Sequence, residues 1–277
     1  MQKYELIVSD LDGTLLNSAM ELSEKNRDAI KRLGDTGIIF VASSGRTFYE
    51  VPEFIRENPN IRYVIYSNGT AIYDKALRRD VVANRISKAA VNAALDILAD
   101  YDAVYWTHAA GRSVMDESYD TLDYSHFQIN DYYKTLLSRS MEVNGIERFS
   151  RESDAVEALV IFFGSDEELE KCRVRLQKID GITVTSSIGH NIEICSKNAG
   201  KGAALAELAK MLKIPKEKII AVGDNLNDTS MFIESGLSLC VENGNEKAKR
   251  LADRVICSND DDVADYIINY IINYVIK

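Results

Sequence analysis

The first residues with chemistry to offer are two carboxylates two positions apart, in Asp10-Leu11-Asp12-Gly13-Thr14. They follow the apolar run Glu5-Leu6-Ile7-Val8-Ser9, which reads as a strand buried on both faces. Two like charges so close are costly unless a cation or a proton neutralises them. A hard divalent ion such as magnesium suits oxygen ligands. A calcium loop is the rival reading, with Asp10, Asp12 and Glu21 at its first, third and twelfth positions. Its obligatory glycine is replaced by Leu15, however, and a strand precedes it. Taken alone, an Asp-x-Asp-Gly turn is as readily a tight turn or a helix cap.

Three further clusters follow strand-like runs or open helices. Ser43-Ser44-Gly45-Arg46 offers a hydroxyl and free backbone N–H groups, which can cradle a phosphate. Gly200-Lys201-Gly202 opens a helix. It is not a Walker loop, because Cys195 and Gly202 stand where Gly and Ser or Thr are required. Lys201 is a cation for an anionic ligand or a solvated surface lysine. Gly223-Asp224-Asn225-Leu226-Asn227-Asp228 is rich in oxygen ligands for a divalent ion, or caps a helix with acids favoured by its dipole. Each cluster is ambiguous alone. Their common position, at the C-terminal edge of a proposed parallel sheet, is more specific, because ligands bind there in open α/β folds.

The elements that position them alternate in the first third: strand 5–9, a helix capped by Ser23 and ended by Gly34 and Gly37, strand 38–42, an interrupted helix over 47–57 broken at Pro52, and strand 63–66. The last third alternates again, with a short strand at 192–194, a helix over 200–212, strands at 219–222 and 237–241, and a final helix from about Asp261. The middle mixes a helix over 87–100, a hairpin over 103–115, a strand over 158–163 and a helix over 166–178, as in an α+β unit with an antiparallel sheet. The expectation is an α/β fold: a Rossmann-like, doubly wound parallel sheet formed by 1–82 and 193–277, with an α+β insert over 83–192.

The 277 residues carry 33 Lys and Arg against 43 Asp and Glu, a formal charge of -10. That balance argues against a general nucleic-acid binder. Cys172, Cys195, Cys240 and Cys257 show no zinc-ligand spacing and read as reduced core residues, which points to a cytoplasmic protein. The apolar stretch 266–276 is too short to cross a bilayer.

In order and spacing, the four clusters resemble the motifs of the haloacid dehalogenase superfamily. The chain is most similar to the Cof-type phosphatases with a type IIB cap. Asp10 to Thr14, Ser44-Gly45-Arg46, Lys201-Gly202 and Gly223 to Asp228 match the four motifs, and Asn68-Gly69 matches an accessory turn. One departure is Val241-Glu242-Asn243-Gly244, where the family often has Met-Gly-Asn-Ala. The resemblance implies a magnesium-dependent phosphatase acting on small phosphorylated metabolites, such as sugar phosphates or phosphorylated cofactors. Asp10 would be the nucleophile and Asp12 the acid and base, assisted by Ser44 and Lys201. Ser44, Gly45, Asn68, Lys201 and Asn227 would bind the phosphate. Asp10, the Asp12 carbonyl and Asp224 would hold the metal, with Asp228 orienting from behind. The insert would act as a cap; Trp106, His108, Arg112, His126 and His190 are its candidate contacts. A phosphotransferase or phosphomutase on the same scaffold, and a non-catalytic phosphometabolite-binding protein, are the alternatives.

Overall fold

The computed structural model describes residues 4–131, 134–135, 138–186 and 190–272. By contacts the chain divides into one unit formed by 1–83 and 200–277 and a second formed by 84–199.

The first unit is built on an eight-stranded sheet. In chain order its elements are β1 (Leu6–Asp10), α1 (Glu24–Thr36), β2 (Ile39–Ser43), α2 (Glu53–Arg56), β3 (Ile61–Tyr66), β4 (Ala71–Asp74) and β5 (Arg79–Ala83). After the insert come a helix over Lys201–Leu212, strands Ile219–Gly223, Leu237–Val241 and Arg254–Ile256, and short helices over Thr229–Ile233, Glu246–Leu251 and Val263–Tyr266. The six strands β1, β2, β3, Ile219–Gly223, Leu237–Val241 and Arg254–Ile256 run parallel, and β4 and β5 extend the sheet antiparallel beyond β3. The chain starts in the middle at β1, winds outward through β2 and β3, and returns to strand Ile219–Gly223 on the other side of β1. The order of connection therefore reverses between β1 and Ile219–Gly223, the point where open α/β sheets bind their ligands.

Period-two alternation explains why continuous apolar runs make these strands. On β1, Ile7 faces one core, with α1 residues Ala29, Ile30 and Leu33 and with Val263 and Ala264. Its neighbours Leu6 and Val8 face the other, with Ala204, Leu205 and Leu208 of helix Lys201–Leu212. Both faces are covered, so a carboxylate is tolerated only where a strand ends. That rule leaves Asp10 and Asp224 on the sheet's C-terminal edge.

The second unit holds α3 (Lys88–Leu98), β6 (Ala103–Ala109), β7 (Arg112–Asp116), β8 (Met141–Val143), α4 (Ile146–Glu152), β9 (Val156–Phe163), α5 (Asp166–Leu176), β10 (Ile182–Thr185) and β11 (Asn191–Ser196). Its six strands are ordered β10-β11-β9-β6-β7-β8 and are antiparallel except for β7 against β8. Helices α3 and α5 cover one face through Val91, Leu95, Leu169 and Leu176.

One expectation needs correction and others are refined. The strand expected over 192–194 in the parallel sheet is part of β11, which pairs with β9 and β10; the second unit therefore runs to Ala199 and not to residue 192. Three residues alternating Ile-Glu-Ile fit either sheet, and only pairing decides. Helix α1 passes through Gly34 and ends at Thr36, with Gly37 closing it in the left-handed region. The interrupted helix over 47–57 is a single 3₁₀ turn, Phe48–Glu50, and then α2, because Pro52 cannot donate inside a helix. The final apolar segment continues helically to Ile272, and 273–276 lie outside the described residues. Among the described residues, no helix is long and apolar enough to cross a membrane.

The antiparallel extension is pinned by a buried carboxylate. Asp74 accepts from Arg62 Nε and Nη2 at 3.1 and 2.8 Å and from the Ala76 backbone N–H at 2.9 Å. The Arg62 hydrogen bond, opposed by burial, holds Asp74 below the usual carboxylate range. A carboxyl with a depressed folded pKa adds stability above its unfolded value, near 3.9, and loses it as pH falls through the folded value. Asp74→Asn should cost about 1 kcal/mol at pH 7, discounted for the half-exposed Arg62. The gap between wild type and variant should narrow on going to pH 3, as read from urea midpoints; a gap that widens would contradict the pairing.

Candidate active site

Asp10 is the last residue of β1 and Lys201 the first of its helix. Lys201 is 1% exposed; its Nζ lies 2.5 Å from Asp10 Oδ1 and 2.7 Å from Asp228 Oδ1. The other Asp228 oxygen accepts the backbone N–H groups of Asp224 and Asn225, each at 3.0 Å. Asp224 Oδ1 accepts from Thr14 Oγ1 at 3.3 Å. Each of Asp10, Asp224 and Asp228 offers a carboxylate oxygen, and these lie within 4.8 Å of one another.

Three carboxylates against one ammonium leave the cluster short of positive charge. Burial pushes the Asp10 carboxyl well above its ordinary value; Lys201 opposes this, and Asp228 and Asp224 add to it. Burial also pushes Asp224 up to about 6, helped by the negative charge of Asp228. Burial alone would lower the Lys201 pKa, but Asp10 and then Asp228 raise it overall. Closely spaced hard oxygen donors with raised carboxyl pKa values are what a divalent cation would relieve. The donor set therefore fits such an ion. Asp228 has both oxygens committed to Lys201 and to backbone N–H groups, so it is suited to orienting more than to direct ligation.

A second group gathers beside the ends of β2 and β3. Ser44 is buried, and its Oγ accepts from the Arg46 backbone N–H at 3.1 Å. The Ser44 carbonyl accepts from the Asn68 N–H at 3.0 Å. Asn68 Oδ1 in turn accepts from Asn227 Nδ2 at 3.1 Å. A Cβ on Gly45 would lie 3.2 Å from Asn68 Oδ1, so the amide packs on that bare backbone. Ser44, Gly45, Asn68 and Asn227 are thus brought together.

Ser67, Asn68 and Gly69 are consecutive residues with positive φ, 48°, 52° and 86°. Two of them are not glycine, so the turn stores strain that its surroundings must hold. The reason Gly69 must be glycine is proximity: a Cβ there would lie 2.2 Å from the Gly200 carbonyl oxygen and 2.6 Å from the Lys201 nitrogen. The turn therefore butts against the residue that launches Lys201. Gly13, at φ 77°, has a similar neighbour, since a Cβ would come 2.9 Å from Asp224 Oδ2.

The Asp12 side chain stands apart from the three-carboxylate cluster. Both its oxygens accept from Arg46, Nε at 2.8 Å and Nη2 at 2.7 Å. Sequence reasoning left Arg46 without a role, although an arginine three residues after a strand end was visible. Asn243 was also missed. Its Nδ2 donates to the Gly13 carbonyl at 2.8 Å, and its Oδ1 accepts from the Asn259 N–H at 2.9 Å. Asn259 Nδ2 reaches the Leu16 carbonyl at 2.9 Å. The two asparagines tie down the irregular turn Leu11–Leu15 that carries Asp12, and Asn243 keeps the asparagine of the Met-Gly-Asn-Ala pattern.

The candidate contacts of the insert lie in the second unit. Trp106 is buried and stacked on Phe162, at 4.8 Å between ring centroids. His126 pairs with Asp102, and His190 with Asp166. His108 lies on β6 and Arg112 on β7.

Comparison with known proteins gives the class. Residues 7–268 match the haloacid dehalogenase-like hydrolase family model. The chain is 31% identical to phosphatase YwpJ of Bacillus subtilis over 93% of its own length and 96% of that protein. It is 29% identical to 5-amino-6-(5-phospho-D-ribitylamino)uracil phosphatase YwtE of the same organism, over 95% and 96%. Among solved structures it is similar to TM0651 from Thermotoga maritima, with a TM-score of 0.82, 25% identity and 97% of each chain covered. The chain belongs to the haloacid dehalogenase-like hydrolases. It is an enzyme of their phosphatase class.

Two substitutions probe this geometry. Lys201→Met removes the only cation at the cluster among the described residues and should lower stability by about 3 kcal/mol, as read by urea unfolding without divalent ions. Unchanged stability would mean that the carboxylates are not held by this lysine. Gly69→Ala should cost about 2 kcal/mol or more and should depress turnover by displacing Lys201. Wild-type turnover in a variant that folds would contradict the close contact.

Proposed function

We propose that this phosphatase hydrolyses small phosphomonoesters with magnesium as its cofactor, carrying the phosphoryl group on Asp10. The observation that supports this best is the cluster of Asp10, Asp224 and Asp228 around the buried ammonium of Lys201, at the point where the sheet reverses its order of connection. It combines a carboxylate suited to nucleophilic attack, a fixed cation and oxygen donors for a second cation in one largely buried place.

An Asp10 oxygen attacks phosphorus. The bond from that oxygen to phosphorus forms as the bond to the leaving oxygen breaks, and the protonated carboxyl of Asp12 gives that oxygen its proton. In the second half Asp12, now ionised, takes a proton from water. The water oxygen bonds to phosphorus, the Asp10–phosphorus linkage breaks, and both carboxyls return to their starting states with alcohol and inorganic phosphate released. Lys201, Ser44, Gly45, Asn68 and Asn227 bind and orient the phosphoryl oxygens, preorganised by their own hydrogen bonds. Asp10, Asp224 and the Asp12 carbonyl would hold magnesium, with Asp228 fixing Lys201 and the Asp224 backbone. When bound, the ion supplies positive charge that lets an anionic carboxylate approach an anionic phosphate.

These groups all address the phosphoryl end of a substrate. We assign the inserted unit as the cap, the role that the family resemblance implies for it. Sugar phosphates and phosphorylated cofactors are the substrate class; a relative named for a phosphorylated ribitylaminouracil also acts on a small phosphomonoester.

The test is phosphate release from p-nitrophenyl phosphate with and without magnesium. Release should require the ion and should fall by about a thousandfold or more in Asp10→Asn. Asp224→Asn should raise the magnesium concentration needed by about tenfold or more. Release that survives in Asp10→Asn, free of contaminating phosphatase, would overturn the assignment of the nucleophile.

A further inference from the structure

We propose that Arg46 is the positioning residue for Asp12, an arm that aims the proton-carrying carboxyl without itself touching substrate. The inference rests on the reading of Asp12 as acid and base given above. The Asp12 carboxyl needs an external hold. It sits at φ -76° and ψ 118° in the non-helical turn after β1, immediately before left-handed Gly13, and it is 35% exposed. A side chain in such a turn, open to water, samples several rotamers unless something fixes it. Among the described residues its side-chain partner is Arg46, which engages both oxygens in a two-pronged pair. That geometry fixes the plane of the carboxylate as well as its position.

Arg46 is itself held at every part of its length. Its backbone N–H donates to Ser44 Oγ at 3.1 Å, and its carbonyl accepts from the Ser67 N–H at 2.8 Å. Its remaining guanidinium nitrogen, Nη1, donates to the Glu50 carbonyl at 3.1 Å. Glu50 closes the turn after β2 by accepting from the Thr47 N–H at 3.0 Å. The side chain is only 15% exposed. Arg46 thus registers Asp12 against Ser44 and against the strained Ser67–Gly69 turn, so the acid and the phosphate-binding groups move as one body. A lysine could supply the charge but not the fork, because an ammonium is a point donor.

A residue that acts only through the proton on Asp12 has a diagnostic effect. Proton donation matters for an alkyl leaving group and hardly at all for p-nitrophenolate, which departs unprotonated. The readout is therefore the ratio of kcat/KM for an alkyl phosphate, glucose 6-phosphate, to kcat/KM for p-nitrophenyl phosphate, measured with magnesium in the full chain. Asp12→Asn sets the scale, since general acids contribute about 100-fold or more. Arg46→Gln should lower the ratio by about tenfold or more, and Arg46→Lys should recover only part of the loss. In the Asp12→Asn background Arg46→Gln should leave the ratio unchanged. If Asp12→Asn changes the ratio but neither Arg46 variant does, or if the two substitutions reduce it independently, Arg46 does not act through Asp12 and the inference fails alone. If Asp12→Asn itself leaves the ratio unchanged, the acid role fails and the Arg46 inference falls with it. Should Arg46→Gln not fold, Arg46→Lys keeps the charge and still breaks the fork, so the same ratio decides.

Discussion

Taking a carboxylate out of water costs several kcal/mol unless a partner compensates it. This protein buries Asp10 and Asp228 almost completely and places Asp224 beside them. Lys201 reaches two of the three and is as buried as they are. Much of the surrounding architecture can be understood as the means of bringing one ammonium to those acids. Asp10 arrives on β1, Asp224 and Asp228 just beyond the neighbouring strand Ile219–Gly223, and Lys201 on the helix whose apolar face packs against β1 through Leu205 and Leu208. The register of a buried sheet is fixed by its apolar side chains, so the acids inherit their positions from the packing of residues that do no chemistry.

Close backbone approaches complete the arrangement. Gly69 against Gly200 and Gly13 against Asp224 bring loops nearer than a methyl group would allow. Polar side chains then lock what the glycines permit: Asn68 between Ser44, Gly45 and Asn227, and the Asn243–Asn259 pair on the turn carrying Asp12. Hydrogen bonding of this kind gives preorganisation, the property that makes fixed dipoles and charges effective.

The sequence exposed the parallel sheet because strands covered on both faces must be continuous apolar runs, as in Leu6-Ile7-Val8 and Ile219-Ile220-Ala221-Val222. The same constraint expels acids to the strand ends, where Asp10, Asp224 and Asp228 stand; that they serve one site was implied by the family resemblance of their motifs. Strand 192–194 was misassigned because three residues carry no record of their partner. The turn at Asn68-Gly69 was readable only through the family resemblance, and the clamps by Arg46 and Asn243 were not legible, since they depend on contacts 34 residues and more apart along the chain. In the second unit the histidines and Trp106 were visible as residue types. Only the structure shows Trp106 stacked in a core and His126 and His190 occupied by aspartates.

The central claim is that the phosphoryl group is carried on Asp10. The most direct test is to quench the enzyme during turnover, reduce any acyl phosphate with borohydride, and locate the modified residue by mass spectrometry. Conversion of the aspartate at position 10 to homoserine is expected, dependent on substrate and on magnesium. Reduction at a different carboxylate, with position 10 unchanged, would contradict it.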